Sequence, residues 1–326
     1  MPEQGNHKIF EVKEPGFEKL ALEIFQLQAA DNPVYKEYLR ALKINPEKVS
    51  RLAAIPFLPV RFFKSHNIQT TTFDSATIFE SSGTTGTFNS RHLVKDLLLY
   101  EESFLKGFEL AYGSVKDFCV IGLLPSYLER ENSSLVYMVD KLIQWSEHPQ
   151  SGFYLNEYEQ LAAVLKELEK AKQKTLLIGV TFALLDFAEA FQLPLEHTIV
   201  METGGMKGRK EEMIRAEVHA VLKQAFRLPA VHSEYGMTEL LSQAYSKKEG
   251  IFNCPPWMKI LMRDEQDPFL VKKEGTGTIN IIDLANIYSC SFIATDDIGK
   301  LYKNGSFEVL GRIDGSDLRG CSLMVV

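Results

Sequence analysis

The sequence predicts an α/β fold: parallel sheets with helices on both faces, completed by a small β-rich C-terminal subdomain. Two observations carry that expectation. Between residues 76 and 232, short apolar runs alternate with longer segments whose apolar residues fall on one helical face, the pattern of strand–helix–strand units around a parallel sheet. Beyond residue 250 the helical spacing stops, and Gly275, Gly277, Gly299, Gly305 and Gly311 punctuate short β-type runs such as Thr278 to Asp283. That is the pattern of antiparallel hairpins. The chain therefore divides into a helix-capped α/β region, residues 1–250, and a β-rich subdomain, residues 251–326.

Taken in order, Phe17 to Ala30 places Leu20, Leu22, Ile24, Phe25 and Leu27 on a broad apolar stripe and reads as a helix. Asp31-Asn32 ahead of Pro33 is a helix start, with Tyr35, Tyr38, Leu39 and Leu42 on the next apolar face. The run Ile55-Pro56-Phe57-Leu58-Pro59-Val60-Arg61-Phe62-Phe63-Lys64 is strongly apolar, yet its two prolines forbid a regular central strand or helix. It is expected to be an extended, buried connector without a ligand role. Ala76-Thr77-Ile78-Phe79 reads as a short strand and Leu93 to Tyr112 as a helix. Phe118 to Leu124, ending at Pro125, suits a buried parallel strand. Helices are expected from Leu135 to Ile143, Glu157 to Lys172, Phe182 to Phe191 and Arg209 to Phe226. Strands are expected from Thr175 to Val180, Thr198 to Met201 and Ala230 to His232.

Composition narrows the class. A chain of 326 residues can bury a substantial core in one large or two ordinary domains. Its 45% hydrophobic and 24% charged residues are those of a soluble globular protein. With 36 basic against 43 acidic residues the net charge is −7, which leaves no electrostatic case for nucleic acid. The four cysteines, Cys119, Cys254, Cys290 and Cys321, form no CxxC pair. That excludes a sequence-readable zinc site and fits free thiols in a reducing compartment. Met1 to Lys13 has no apolar signal region and no apolar run approaches a membrane span, so a cytoplasmic protein is expected.

In open α/β sheets ligands sit beyond the carboxyl ends of strands, so the residues there matter most. Four such stretches stand out. Ser81-Ser82-Gly83-Thr84-Thr85-Gly86-Thr87 follows the strand ending at Phe79-Glu80, and its successive N–H groups and hydroxyls can wrap an anion. It is not a Walker A loop, because no Gly-Lys-Ser/Thr follows. Thr203-Gly204-Gly205-Met206 would let a flat ring approach the backbone. Tyr235-Gly236-Met237-Thr238-Glu239 offers a hydroxyl and a carboxylate that could hold Mg²⁺ together with phosphate oxygens. Thr295-Asp296-Asp297 could meet a ribose, and Gly311-Arg312-Ile313-Asp314 brings a cation toward phosphate. Each also has an ordinary reading, as a loop, a helix cap or a turn.

In this order the four stretches resemble the signatures of the adenylate-forming superfamily of acyl-CoA synthetases, luciferases and adenylation domains. Ser81 to Gly86 is similar to its phosphate-binding signature and Tyr235 to Glu239 to its Tyr-Gly-x-Thr-Glu motif. Thr295-Asp296-Asp297 resembles its Thr-Gly-Asp motif, and Gly311 to Asp314 its Gly-Arg-x-Asp hinge. Within it, Phe17 to Tyr38 and the proline segment, Ile55 to Lys64, look like the acyl-protein synthetase (LuxE-like) family of bacterial luminescence operons. The resemblance implies the N-terminal-domain fold of those enzymes and ATP-dependent activation of a carboxylic acid, a long-chain fatty acid in that family, to an acyl-adenylate. The acyl group then passes to an enzyme cysteine and on to a partner reductase. Carried over residue by residue, it implies that Ser82, Gly83, Thr84, Thr85 and Gly86 hold the triphosphate, with Glu239 on Mg²⁺ and Thr238 on the α-phosphate. Gly204, Gly205, Tyr235 and Gly236 would face adenine, Asp297 the ribose, and Arg312 the ribose or phosphates. Cys321, the cysteine nearest the C-terminus, would be the acyl acceptor, with Arg312 and Arg319 favouring its thiolate.

Two departures bear on the expectation. Where the superfamily's phosphate loop continues Pro-Lys-Gly, this chain runs Thr87-Phe88-Asn89-Ser90-Arg91. The sequence also ends just past the hinge motif, so no separate C-terminal lid domain with the superfamily's lysine is expected. Two other readings stay open: a carboxylate–CoA ligase like the phenylacetate enzymes, and a non-catalytic nucleotide-binding subunit of an acyl-transfer complex.

Overall fold

A thirteen-stranded sheet forms the body of the molecule in a computed structural model that describes residues 6–81, 89–124, 132–155, 157–204, 213–264 and 266–313. Helices come first: α1 (Asn6–Phe10), α2 (Glu14–Asp31) and α3 (Pro33–Ala41). Asn32 makes the corner between α2 and α3. Its N–H closes α2 on the Gln28 carbonyl, and its side chain accepts from the Tyr35 N–H at 3.0 Å. Pro33 fills the first position of α3, where no N–H is needed.

The proline segment departs from a plain connector. Leu58–Pro59 forms β1, paired in parallel with Ile293 and Ala294, and Phe62–Ser65 closes as one helical turn, α4. Proline is tolerated because β1 pairs with a single strand, so its missing N–H breaks no second ladder. The Tyr35 hydroxyl donates to the Pro56 carbonyl and the Tyr38 hydroxyl to the Phe57 carbonyl, satisfying backbone groups that regular structure leaves unpaired.

β2 (Thr77–Glu80) and β3 (Arg91–Val94) pair antiparallel in a sheet of their own. The helix expected from Leu93 therefore starts later, as α5 (Leu97–Tyr112), because the Asp96 side chain caps it by accepting from Leu98 N–H at 2.9 Å. The core follows: β4 (Cys119–Leu123), α6 (Ser134–Ser146), β5 (Gly152–Phe153), α7 (Tyr158–Lys170), β6 (Thr175–Val180), α8 (Thr181–Ala190), β7 (Thr198–Thr203), α9 (Arg215–Phe226) and β8 (His232–Tyr235). Strands β5, β4, β6, β7 and β8 lie side by side in parallel. Helix α9 begins after the expected Arg209; residues 209–212 lie outside the described residues, and the Glu217 carboxylate accepts the Ile214 N–H at 3.0 Å to fix the start.

Helices cover both faces. On one, Tyr112 of α5 packs on His232 and Tyr100 donates to the Ser134 carbonyl of α6. On the other, Arg215 of α9 pairs with Glu202 of β7 at 3.0 Å, and His219 meets Ser233 of β8 at 3.3 Å. Every residue of β4 and β6 is buried, as strands covered on both sides must be.

The sheet then turns antiparallel through β9 (Ala244–Ser246), β10 (Ile251–Asn253), β11 (Met258–Arg263), β12 (Val271–Lys272), β13 (Gly275–Asp283), β14 (Phe292–Leu301) and β15 (Phe307–Arg312). Helix α2 seals this region. Phe25 packs edge-on to Phe292 at 5.9 Å, and buried Gln28 donates to the Asn286 and Ile287 carbonyls while accepting the Ser291 N–H at 2.9 Å. Among the described residues no helix is long and apolar enough to cross a membrane.

Candidate active site

β8 begins at His232, the last residue of the strand expected from Ala230, and runs three residues further to carry Tyr235 at its end. Strand alternation points Ser233 and Tyr235 to the α9 side of the sheet and Glu234 to the α5 side. The Tyr235 ring lies against Phe252 and Phe307, at 5.9 and 5.5 Å, and its hydroxyl donates to Asp297 Oδ2 at 2.7 Å. Asp297 on β14 and Arg312 on β15 are register partners, so the ladder itself sets the 3.8 Å approach of Arg312 Nε to Asp297 Oδ1. Burial pushes the Asp297 carboxyl up, against the Tyr235 hydroxyl and Arg312, which favour its charged form.

Thr238 and Glu239 are held from behind by their carbonyls. His92 Nδ1, on β3, donates to the Thr238 carbonyl at 2.8 Å, and Asn286 Nδ2 donates to the Glu239 carbonyl at 2.7 Å. Burial pushes the Glu239 carboxyl up; hydrogen bonding from the Ser90 side chain and the cations Arg312 and Lys64 oppose that shift. Ser90 in turn exchanges hydrogen bonds with Ser81: its N–H donates to Ser81 Oγ at 2.9 Å, and its carbonyl accepts the Ser81 N–H at 3.0 Å. The base of the β2–β3 hairpin thus stands beside Glu239.

The structure places the expected residues unevenly. Tyr235, Gly236, Thr238, Glu239, Asp297 and Arg312 come together at one end of the sheet. Gly204 stands one residue past the Thr203–Glu234 register pair at the same end. Its φ of +70° is a left-handed conformation that favours glycine, and its carbonyl accepts from Thr181 Oγ1 at 3.1 Å. Ser82, Gly83, Thr84, Thr85, Gly86, Gly205 and Cys321 lie outside the described residues.

Sequence reasoning missed four residues that this end of the sheet gathers: His92, Asn286, Ser90 and Arg61. The proline segment contributes Arg61. Val60 N–H donates to the Ala294 carbonyl, and Arg61 Nε meets Asp296 Oδ2 at 3.0 Å, next to Asp297. No local pattern announces these residues, since His92 meets Thr238 across 146 positions.

The donor set fits a nucleotide and a magnesium ion. Among the described residues no three His, Cys, Asp or Glu side chains cluster as a protein cage for a metal. A single buried carboxylate, Glu239, is what Mg²⁺ needs when phosphate oxygens and water supply its other ligands.

His92 also makes stability depend on pH. Burial pushes its imidazole down to about 4, against hydrogen bonds to the Thr238 carbonyl and the Asn286 side chain that favour the charged form. Because the folded value lies below the unfolded one, the unfolded chain binds more protons between the two. The stability is then complete above pH 6.5 and lost as pH falls toward 4, by about 3 kcal/mol. Urea midpoints across that range should show the loss, and His92→Asn, which keeps an N–H donor but does not titrate, should reduce it, with His232, which burial also pushes down to about 4, carrying the remainder.

Comparison with known proteins adds a family. The acyl-protein synthetase family, LuxE, matches residues 8–326. Among solved structures, an ATP-bound RpMatB–BxBclM chimera is 17% identical with a TM-score of 0.56, over 74% of this chain and 50% of its own. ATP-bound MatB from Rhodopseudomonas palustris is 16% identical with a TM-score of 0.55, over 74% and 49%. A 2-hydroxyisobutyryl-CoA ligase, in an open conformation with 2-HIB-AMP and CoA, is 12% identical with a TM-score of 0.62, over 94% and 79%. At these identities the likeness is one of fold. The chain spans about half the length of the MatB structures it matches. No protein with a curated description matches it in sequence. Matched over nearly its whole length, the chain belongs to the acyl-protein synthetase family, LuxE.

Proposed function

We propose that this protein activates a carboxylic acid with ATP to an acyl-adenylate and passes the acyl group to Cys321 and onward to a partner protein. A long-chain fatty acid is the substrate that the family implies. One observation carries the reading: Glu239, Thr238 and the Tyr235–Asp297–Arg312 chain converge at one end of the sheet, beside the Ser81–Ser90 pair, between which Ser82 to Gly86 fall in sequence.

The first step needs no protein base, because a carboxylic acid is already ionised near pH 7. A carboxylate oxygen attacks the α-phosphorus of ATP, the bond to the bridging oxygen breaks, and pyrophosphate leaves with the electron pair. What the protein supplies is position and charge. Asp297 accepts from the ribose hydroxyls, Arg312 faces the phosphates, and Tyr235, Gly236, Gly204 and Gly205 form the wall of the adenine site. Thr238 would meet the α-phosphate, and Glu239 would hold Mg²⁺, which would neutralise phosphate charge. In the second step the Cys321 thiolate attacks the acyl carbonyl and AMP leaves, giving a thioester. Residues 1–250 would supply the nucleotide and acyl walls and residues 251–326 the ribose side. The free thiol required at Cys321 suits the cytoplasm.

Support for Cys321 comes from the other thiols. Burial pushes Cys119 up to about 11 and Cys290 up to about 12, and it raises Cys254 as well, so none of the three is a ready thiolate. The test is pyrophosphate release from ATP and Mg²⁺ with a panel of carboxylates. Release that depends on the carboxylate is expected. Tight ATP binding without release would make this a nucleotide-binding subunit, and thioester formed on CoA would make it a CoA ligase.

A further inference from the structure

One face of the sheet carries polar groups that adenylation does not use. Glu234 on β8 and Tyr245 on β9 are register partners, and beyond the next pair Gly236 stands opposite Gln243. With a period of two along each strand, Glu234, Gln243 and Tyr245 share the α5 side, where Tyr112 packs edge-on to Tyr245 at 5.4 Å. Thr203 Oγ1 donates to Glu234 Oε2 at 2.5 Å. The other oxygen, Oε1, lies against Gly236: a Cβ there would stand 2.4 Å from it and 3.4 Å from Gln243 Cγ. Glycine at 236 thus makes room for the Glu234 carboxyl.

The patch is underpaired. Gln243 Oε1 and the Tyr245 hydroxyl are buried and make no hydrogen bond among the described residues. Burial, assisted by the charge of Glu202 and opposed by the Thr203 hydrogen bond, pushes Glu234 up to about 7, so its carboxyl can donate as well as accept. Buried polar groups left without a hydrogen bond are costly, so a bound partner is favoured. The location narrows what that partner is. Tyr235 turns to the side of Asp297 and Arg312, where the nucleotide would lie, and Glu234 turns to the opposite side of the same strand, immediately before Gly236-Met237-Thr238. The chain of the acid being activated is the remaining part of the reaction.

We infer that Glu234, Gln243 and Tyr245 form a specificity site that reads a hydroxyl group on the chain of the carboxylic acid. The inference rests on the adenylation reading above. A hydroxyl gives its proton to Gln243 Oε1 and accepts one from the Glu234 carboxyl or the Tyr245 hydroxyl, pairing groups that a plain hydrocarbon chain would leave unpaired. Sites built to hydrogen-bond a hydroxyl reject the analogue that lacks it more strongly than apolar sites reject the added hydroxyl.

The test compares unsubstituted, 2-hydroxy and 3-hydroxy long-chain acids of one length, by pyrophosphate release and by the melting-temperature shift each gives without ATP. One hydroxy acid should exceed the unsubstituted acid at least ~10-fold in kcat/KM. Glu234→Leu should abolish that preference by losing roughly 10-fold on the hydroxy acid alone, whereas Glu234→Gln, which keeps a donor and an acceptor, should retain it. Gln243→Leu provides a second variant should Glu234→Leu not fold, with the same loss expected. Equal kcat/KM for all acids and equal melting shifts overturn the inference, since water alone then pairs the patch. The two readings fail separately. Pyrophosphate release without a hydroxyl preference removes this site and keeps adenylation; a hydroxyl-dependent melting shift without release does the reverse.

Discussion

Replacing Glu239 with alanine lowers carboxylate-dependent pyrophosphate release by roughly 100- to 1000-fold, the usual cost of removing one group that stabilises charge in the transition state. The fold should survive the change. Glu239 is a buried carboxylate that desolvation pushes toward its neutral form, and the contacts that fix its segment run through carbonyls, from His92 to Thr238 and from Asn286 to Glu239. Its removal takes away a desolvated acid and leaves those bonds intact while breaking the Ser90 hydrogen bond to the carboxyl, so the melting temperature should change little. Glu239→Gln, isosteric but uncharged, should lose activity to a similar extent. Steady-state rates over a Mg²⁺ titration give the check. Unchanged release in Glu239→Ala would remove the metal assignment.

Cys321→Ser should abolish the acyl-enzyme while leaving the first step intact. Wild-type protein incubated with ATP, Mg²⁺ and the acid should gain one acyl mass that survives denaturant and is released by hydroxylamine. The serine variant should show none, yet still release pyrophosphate. The contrast is sharp because burial holds the thiols of Cys119, Cys254 and Cys290 in their neutral form. An acyl-enzyme persisting in Cys321→Ser would place the acceptor elsewhere.

The strands and helices that the sequence revealed are those whose pattern is local. Thr175–Val180 and Cys119–Leu123 are apolar throughout because both of their faces are covered, and α3 begins where Asn32 and Pro33 say it must. The misjudged stretches are those decided by distant partners. Leu58–Pro59 becomes a strand only because β14 offers an edge, and Arg91–Val94 pairs with β2 instead of opening α5. The site divides in the same way. Tyr235, Glu239, Asp297 and Arg312 were legible because each sits in a short motif at the end of a strand. His92, Asn286 and Arg61 were not, since a histidine on a strand, an asparagine in a turn and an arginine after a proline have no signal until the fold sets them against Thr238, Glu239 and Asp296. Glu234 was hidden differently. It stands inside a motif but faces away from it, and only the sheet's alternation separates it from Tyr235.

The most direct test of adenylation follows oxygen. An acid labelled with ¹⁸O in its carboxylate, incubated with ATP and Mg²⁺ and taken through acyl transfer, gives AMP whose oxygen content is read by mass spectrometry. Attack of the carboxylate on the α-phosphorus predicts one ¹⁸O in AMP for each acyl group transferred. Unlabelled AMP, or label recovered in inorganic phosphate with ADP as the nucleotide product, would contradict an acyl-adenylate.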